Sequence, residues 1–333
     1  VKINIQTIET LFQAYMTPDE YSKAYKEHLE SIESDLDEKG NKKLYGKNLY
    51  ADVQRYAQKV AQIVKKKKFD LIHAHDWMTL PAGLAAKEIL NVPLIAHAHN
   101  TVYDRYLGQG ADYERKIELE GYNRADVVIA ISNYVKNCLK EKYGVADKKI
   151  KVVYNGGITD MEKHFRDYDI SEKEEKIVLY AGRAVLQKGP EFFIRAAAKV
   201  IEYEPNTRFI LAGDGHLLND LKKLAWDLGI SKNIYFHGFY TRNEADQFFG
   251  TADIFVMPSV SEPFGIVPLE AVAKGTPTII SKQSGISEVL NNCFKVDFWD
   301  TDEIAHNILA LLRYEALHNT MRKSAFIEME KFD

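Results

Sequence analysis

Short apolar, β-branched runs separated by stretches of helical periodicity recur along this chain in two blocks, and this alternation restricts the fold more than any other feature. In the first block FDLIHAH (69–75), VPLIAHAH (92–99), ADVVIAIS (125–132) and KIKVVYNGG (149–157) read as strands. Helical patterns lie between them, over 79–90, near 112–123 and over 133–144. After a charged stretch at 160–176 the pattern restarts with KIVLYAGR, RFILAGDG, NIYFHGF, ADIFVMPS and TPTIIS as strands. Strands that are apolar throughout, spaced by helices, imply parallel sheets covered on both faces. The expected class is therefore α/β, with two doubly wound domains facing one another across a cleft. A length of 333 residues agrees, since single cores seldom grow past about 250–300 residues. The reading divides the chain into a first domain at 1–157, a linker at 158–175 and a second domain at 176–333. Before the first block, VKINIQ alternates like a strand and PDEYSKAYKEHLESIES resembles a surface helix.

In doubly wound sheets ligands sit outside the carboxyl ends of the strands. Asp76, His99, Gly182-Arg183, Gly213-Asp214-Gly215, Gly238 and Glu262 each follow a predicted strand end, so one crevice is expected to gather them. In YAGRAVLQKGPEFF the loop carries Arg183 and Lys188 and a helix starts near Pro190, where proline suits the first turn. Two cations beside a helix start suit a doubly charged phosphate group. In LAGDG the glycines Gly213 and Gly215 permit close backbone approach around Asp214. In SEPFGIVPLEAVAKGTP, Gly265 has no Cβ, so the amides from Phe264 to Val267 are expected to face a phosphate at the helix start. Glu270 suits a ribose diol, as acids do in dinucleotide sites, and Glu262 a sugar hydroxyl. The plainer alternative for the two glutamates is a pair of solvated acids at a helix start.

Four histidines, His73, His75, His97 and His99, alternate along the first two strands of the first block. Each pair shares a face only if both members point to the cleft. Helical HExxH spacing is absent and no cysteine lies nearby, so no metal is expected there; His99 and Asp76 are read as polar groups aimed at substrate. The acid pairs Asp35-Leu36-Asp37, Asp167-Tyr168-Asp169 and Asp300-Thr301-Asp302 fall in charged surface stretches and read as solvated. Net charge is −4, which offers no basic field for nucleic acid or anionic lipid. The run Lys65 to Lys68 reads as a helix end favoured by the dipole. Two cysteines, Cys138 and Cys293, exclude a disulfide scaffold, and no run approaches the roughly 20 apolar residues of a membrane span. A cytoplasmic location is expected.

In HAHDW, AHNTVYDR, AISNYVK, VVYNGGI, GR-x4-KG, LAGDG, FHGF and SEPFGIVPLEAVAKGTPTI the chain resembles the retaining glycosyltransferases of GT-B fold, specifically family four and its glycogen-synthase relatives. The resemblance covers about 69–290, and the family's E-x7-E pair falls on Glu262 and Glu270. It implies two Rossmann-like domains, with Arg183 and Lys188 on the nucleotide diphosphate, Glu270 on the ribose, and Glu262 with the Phe264–Ile266 amides on the donor sugar. His99 would lie near the reacting carbon, Asp76 would support hydroxyls, and Tyr103, Asp104 and Arg105 would line the acceptor side. Gly238 and Phe239 would lie by the base. The implied reaction moves a hexose, glucose foremost, from a UDP-, ADP- or GDP-sugar to a hydroxyl acceptor, with retained configuration and neither metal nor cofactor. HAHDW tilts the acceptor toward a glycogen- or starch-type α-glucan. Family members open with a strand and a Gly-Gly loop and close with a helix returning to the first domain. Neither is seen between Val1 and Asp333, so the donor domain is expected intact and the acceptor domain incomplete at its start. Two alternatives stand beside a transferase: a nucleotide-sugar-binding module without catalysis, and an epimerase or phosphorylase of similar architecture.

Overall fold

The structure, a computed structural model, describes residues 49–108, 112–156, 170 and 173–329. The expected strand VKINIQ, the helix at 18–34, two of the acid pairs (Asp35–Asp37 and Asp167–Asp169) and most of 158–175 lie outside the described residues. By internal contact the chain forms two units. The first comprises Val1–Thr101, Ala111–Ile129 and Leu139–Lys151; the second comprises Val102–Gly110, Ala130–Cys138 and Val152–Asp333.

In the first unit, helix α1 (Leu49–Val64) buries Val53, Ala57 and Val64, a stripe at helical spacing, and the exposed Lys65–Lys68 run follows its end. Strands β1 (Ile72–His75), β2 (Leu94–Ala98), β3 (Val127–Ala130) and β4 (Ile150–Val152) form a sheet in that order. β1 and β2 pair in parallel, with His73 beside Ile95 and His75 beside His97. Helix α2 (Asp76–Leu90) buries Trp77, Leu80, Ala82 and Leu84. It begins three residues before the expected Thr79 and carries Pro81 inside. The early start is held by the Thr79 hydroxyl, which donates to the His75 carbonyl at 2.7 Å. Helices α3 (Val102–Arg105), α4 (Asp112–Arg124) and α5 (Asn133–Tyr143) follow.

The second unit holds strands β5 (Lys176–Ala181), β6 (Thr207–Ala212), β7 (Ile234–Gly238), β8 (Ile254–Met257), β9 (Thr278–Ser281) and β10 (Phe294–Val296). Every strand pairing in this sheet is parallel, in the order β10-β9-β8-β5-β6-β7. All four residues of β8 and of β9 are buried, as strands covered on both faces must be. Helices α6 (Pro190–Ile201), α7 (Leu218–Asp227), α8 (Arg242–Thr251), α9 (Val267–Ala273), α10 (Thr301–Arg313) and α11 (Glu315–Glu328) complete it. Phe193, Ile194 and Val200 of α6 join Val178, Phe209, Val256, Ile279 and Ile308 in one core. Asp300, from the third acid pair, caps α10 by accepting from the Glu303 amide at 2.8 Å, and Asp302 pairs with Lys199 at 2.7 Å.

Candidate active site

The second sheet winds outward from β5 in both directions: β6 and β7 follow on one side, β8, β9 and β10 on the other. The carboxyl ends of β5 and β8 therefore flank the point where the winding reverses, which is where open parallel sheets take ligands. Two loops empty there. β5 runs through Gly182 and Arg183 into a single turn at Leu186–Lys188 and then α6, which opens on Pro190. β8 runs through Pro258 to Glu262 and α9.

The loops are tied by backbone bonds, the amides of Val260 and Ser261 donating to the Gln187 carbonyl at 2.9 and 3.3 Å. Across this tie Lys188 is ion-paired with Glu262, the two side chains 21% and 10% exposed. Arg183 is exposed and donates to the side-chain oxygen of the buried Gln187 at 3.3 Å. The turn after β6 packs on the same backbone. The amides of Gly182 and Ala184 donate to the carbonyls of Ala212 and Asp214, both at 2.9 Å, and the Gly213 amide donates to Gly238 at 2.8 Å. A Cβ on Gly213 would lie 1.7 Å from the Gly182 oxygen, and one on Gly215 2.4 Å from the Ala184 oxygen. Only glycine permits that approach. Asp214 turns its carboxylate to its own neighbour, accepting from the Gly215 amide at 2.7 Å.

Gly238 ends β7 at φ 83 and Phe239 is exposed beyond it. Glu270, half-buried on α9, accepts no hydrogen bond among the described residues. Burial raises its pKa, with Arg242 opposing and Asp246 adding. Burial, followed by the charge of Glu270, pushes the Tyr240 hydroxyl up to about 12. Gly265 turns at φ 103, with the side chains of Ile286, Glu262 and Met257 around it. Phe264 is buried, its carbonyl accepting from the Ile286 amide at 2.6 Å, and Ile266 is exposed. Asp104, expected on the acceptor side, is buried and accepts from the Ser261 hydroxyl at 2.8 Å; that hydroxyl also meets Tyr134 at 2.9 Å. Tyr103 and Arg105 are half-buried beside it on α3. Gln187, Ser261 and Tyr134 were not singled out in the sequence, since no spacing links them to the residues they hold.

In the first unit Asp76 stands at φ 58 and one carboxylate oxygen accepts from the amides of His99 and Asn100 at 2.7 and 3.2 Å. Asp76 thus fixes the backbone on which His99 sits. The four histidines share one face of the sheet: the His97 and His99 rings stack at 4.0 Å, those of His73 and His75 at 4.4 Å. His75 Nδ1 and His99 Nε2 are 2.9 Å apart. Burial, then His73, lowers the pKa of His99; burial, then the three neighbouring rings, lowers that of His97 to about 3.

Residues 160–327 match the family described as Glycosyl transferases group 1, and residues 17–160 match Glycosyltransferase Family 4. Over 237 residues, 68% of this chain, the sequence is 34% identical to an uncharacterised glycosyltransferase of Methanocaldococcus jannaschii, spanning 60% of that protein's length. It is 30% identical over 267 residues to the Escherichia coli UDP-Gal:alpha-D-GlcNAc-diphosphoundecaprenol alpha-1,3-galactosyltransferase, covering 76% of this chain and 68% of that one. Among solved structures, Anabaena HepE in complex with UDP and glucose superposes with a TM-score of 0.72 at 25% identity, covering 86% of this chain and 80% of that one. The sucrose-phosphate synthase of Thermosynechococcus elongatus shares the fold, with a TM-score of 0.75 at 21% identity, over 87% of this chain and 76% of that one. No helix among the described residues is long and apolar enough to cross a membrane.

Proposed function

The chain belongs to the family-four glycosyltransferases of GT-B fold, and on that premise we propose that it transfers a hexose from a nucleotide-diphosphate sugar to a hydroxyl acceptor with retention of configuration. The observation that carries the reading is the meeting, at the winding reversal, of a two-cation loop, a glycine turn and an acidic loop. In the proposed role Arg183 and Lys188 hold the diphosphate. Glu270, desolvated and without a hydrogen-bonded partner among the described residues, takes the ribose hydroxyls. Glu262 and the amides of Phe264, Gly265 and Ile266 take the sugar. Gly238 and Phe239 lie by the base, with uracil favoured because the E. coli relative is named for UDP-Gal and HepE was solved with UDP. His99, kept neutral, serves as a hydrogen-bonding group near the reacting carbon, and Asp76 acts as a positioning residue for it. Tyr103 and Arg105 are assigned to the acceptor, for which an α-glucan is the proposed class, and Asp104 to holding Ser261.

In this mechanism the bond from the anomeric carbon to the diphosphate oxygen breaks, and the acceptor oxygen bonds the same face of that carbon. The departing phosphate takes the acceptor's proton. Charge grows on the phosphate as the bond lengthens, so fixed cations stabilise the transition state more than the bound donor. Two side-chain cations supply the neutralisation that a divalent ion would otherwise provide.

Each charged hydrogen bond contributes about 1.5–3 kcal/mol. Arg183→Ala and Lys188→Ala are each expected to lower kcat/KM by about 10- to 150-fold. The test is a screen of UDP-, ADP- and GDP-sugars by thermal shift, then turnover and the anomeric configuration of the product by NMR. Inverted product removes the retaining mechanism, and wild-type rates in both variants remove the cation role. Tight nucleotide binding with no turnover on any acceptor would leave a binding module.

A further inference from the structure

We propose that His73, His75 and His97 bind one divalent metal ion of the zinc class in the first unit. The side-chain nitrogens these residues offer all lie within 4.8 Å of one another. A tetrahedral site with Zn–N of about 2.0–2.1 Å holds its ligand nitrogens roughly 3.3 Å apart, within reach of small side-chain rotations. Parallel register brings them together. His75 stands beside His97, and His73, two residues back on β1, points to the same face. Helical HExxH spacing is one way to converge imidazoles; two residues on one strand beside a third on its parallel neighbour is another.

The chemistry of the cluster fits a metal better than a set of paired side chains. Each neutral imidazole carries one donor and one acceptor nitrogen. Both nitrogens of His97 are buried with no hydrogen-bond partner among the described residues, a costly state for polar atoms unless something coordinates them. Among the described residues none of the four rings is ion-paired with a carboxylate, the Asp76 carboxylate meeting the backbone amide of His99 instead. The orienting partner that a metal-bound histidine usually has is also present. With its proton on Nδ1, His75 donates to His99 Nε2 at 2.9 Å and leaves its own Nε2 lone pair for an ion. Three imidazoles leave the fourth position of a tetrahedral ion open. Neutral imidazoles without carboxylates select zinc, nickel or copper over magnesium or calcium.

The test is direct zinc binding to the whole chain, first stripped of metal, by isothermal titration and by competition with a chromogenic chelator. Wild type is expected to bind one zinc ion in the micromolar range or tighter. Cobalt should substitute with the intense visible absorption of a tetrahedral site. His73→Asn, an exposed position that should leave the fold intact, is expected to weaken zinc by about 100-fold or more, since even outer-shell losses cost 10- to 100-fold. His97→Ala should do the same, and His306→Asn, an exposed histidine on α10, should not. Circular dichroism shows which variants are folded. Absence of stoichiometric zinc binding in wild type overturns the proposal, as does a folded His73→Asn that binds like wild type. Equal weakening in His306→Asn would mean scattered surface binding and overturns it too.

Discussion

Gly213→Ala isolates the packing of the glycine turn on the cation loop. The new methyl would lie 1.7 Å from the Gly182 oxygen, whereas real Cβ contacts stay beyond 3.0 Å, so the backbone must move by more than an ångström. Gly213 also sits at φ 149, and holding alanine in so sparsely populated a region costs about 1–3 kcal/mol. Moving the 182–184 strand exit lengthens three bonds. They run from the Gly182 amide to Ala212, from the Ala184 amide to Asp214 and from the Leu217 amide to Ala184, at 2.9, 2.9 and 3.1 Å. Each contributes about 0.5–1.5 kcal/mol, so with the backbone strain the expected loss is roughly 2.5–7.5 kcal/mol. The comparison is Gly229→Ala, at φ 75 after α7, where an added methyl meets nothing within 4 Å. That change costs only the left-handed conformation, about 1–2 kcal/mol. Urea unfolding should show Gly213→Ala as the less stable of the two, by about 3.5 kcal/mol at the midpoints of these ranges. Because Arg183 rides on the displaced segment, UDP affinity by calorimetry should fall about 10- to 150-fold in Gly213→Ala and stay at wild type in Gly229→Ala. Equal stability of the two variants, with UDP binding unchanged in both, would refute the idea that loop-on-loop packing builds the phosphate site.

Lys188→Met and Glu262→Gln each strand a poorly exposed charge and should cost about 2–3 kcal/mol singly, below a fully buried pair because Lys188 keeps some solvent. The double variant should recover at least about 1 kcal/mol; additivity in urea melts would show the pair is uncoupled. Glu270→Gln should stabilise the nucleotide-free fold at pH 7. Its folded pKa is raised, so the ionised carboxylate works against folding once pH exceeds the unfolded value, and removing the charge lifts that penalty. The same variant should weaken UDP about 10-fold; a tighter-binding or less stable variant contradicts the ribose assignment. Glu328 is desolvated, which alone would raise its pKa. Hydrogen bonds from the backbone and side-chain amides of Asn291 and Asn292, at 2.7–2.9 Å, instead hold it at about 2. Its contribution, at most about 3 kcal/mol, is fully present above pH 4.5 and lost as pH falls through about 2. The stability gap between wild type and Glu328→Gln should therefore close over that window, and a constant gap would mean that the carboxylate's charge is not what anchors α11.

The alternation of strands and helices was legible because parallel strands covered on both faces are written as unbroken apolar runs, and each run ended on a residue the fold then delivers to the sheet's edge. Arg183, Lys188, Glu262 and Glu270 were accessible for that reason: a strand end fixes where the next few residues go. The start of α2 lies three residues before the expected Thr79 because the bond from the Thr79 hydroxyl to the His75 carbonyl, which begins the helix earlier, leaves no mark in the periodicity. What stayed hidden depends on distant pairings. Lys188 meets Glu262 across 74 positions and Ser261 meets Asp104 across 157, and neither partner carries a local mark of the other. The histidines show the same limit most sharply. Period-two spacing within β1 and within β2 was visible, but the register between the strands belongs to neither sequence alone. Slipping one strand by a single residue would turn His97 to the opposite face and separate rings that now stack at 4.0 Å. Register is set by the buried alternation of Leu94, Ala96 and Ala98 beneath the histidine face. Packing on one side of β2 therefore determines whether the other side can gather imidazoles at all.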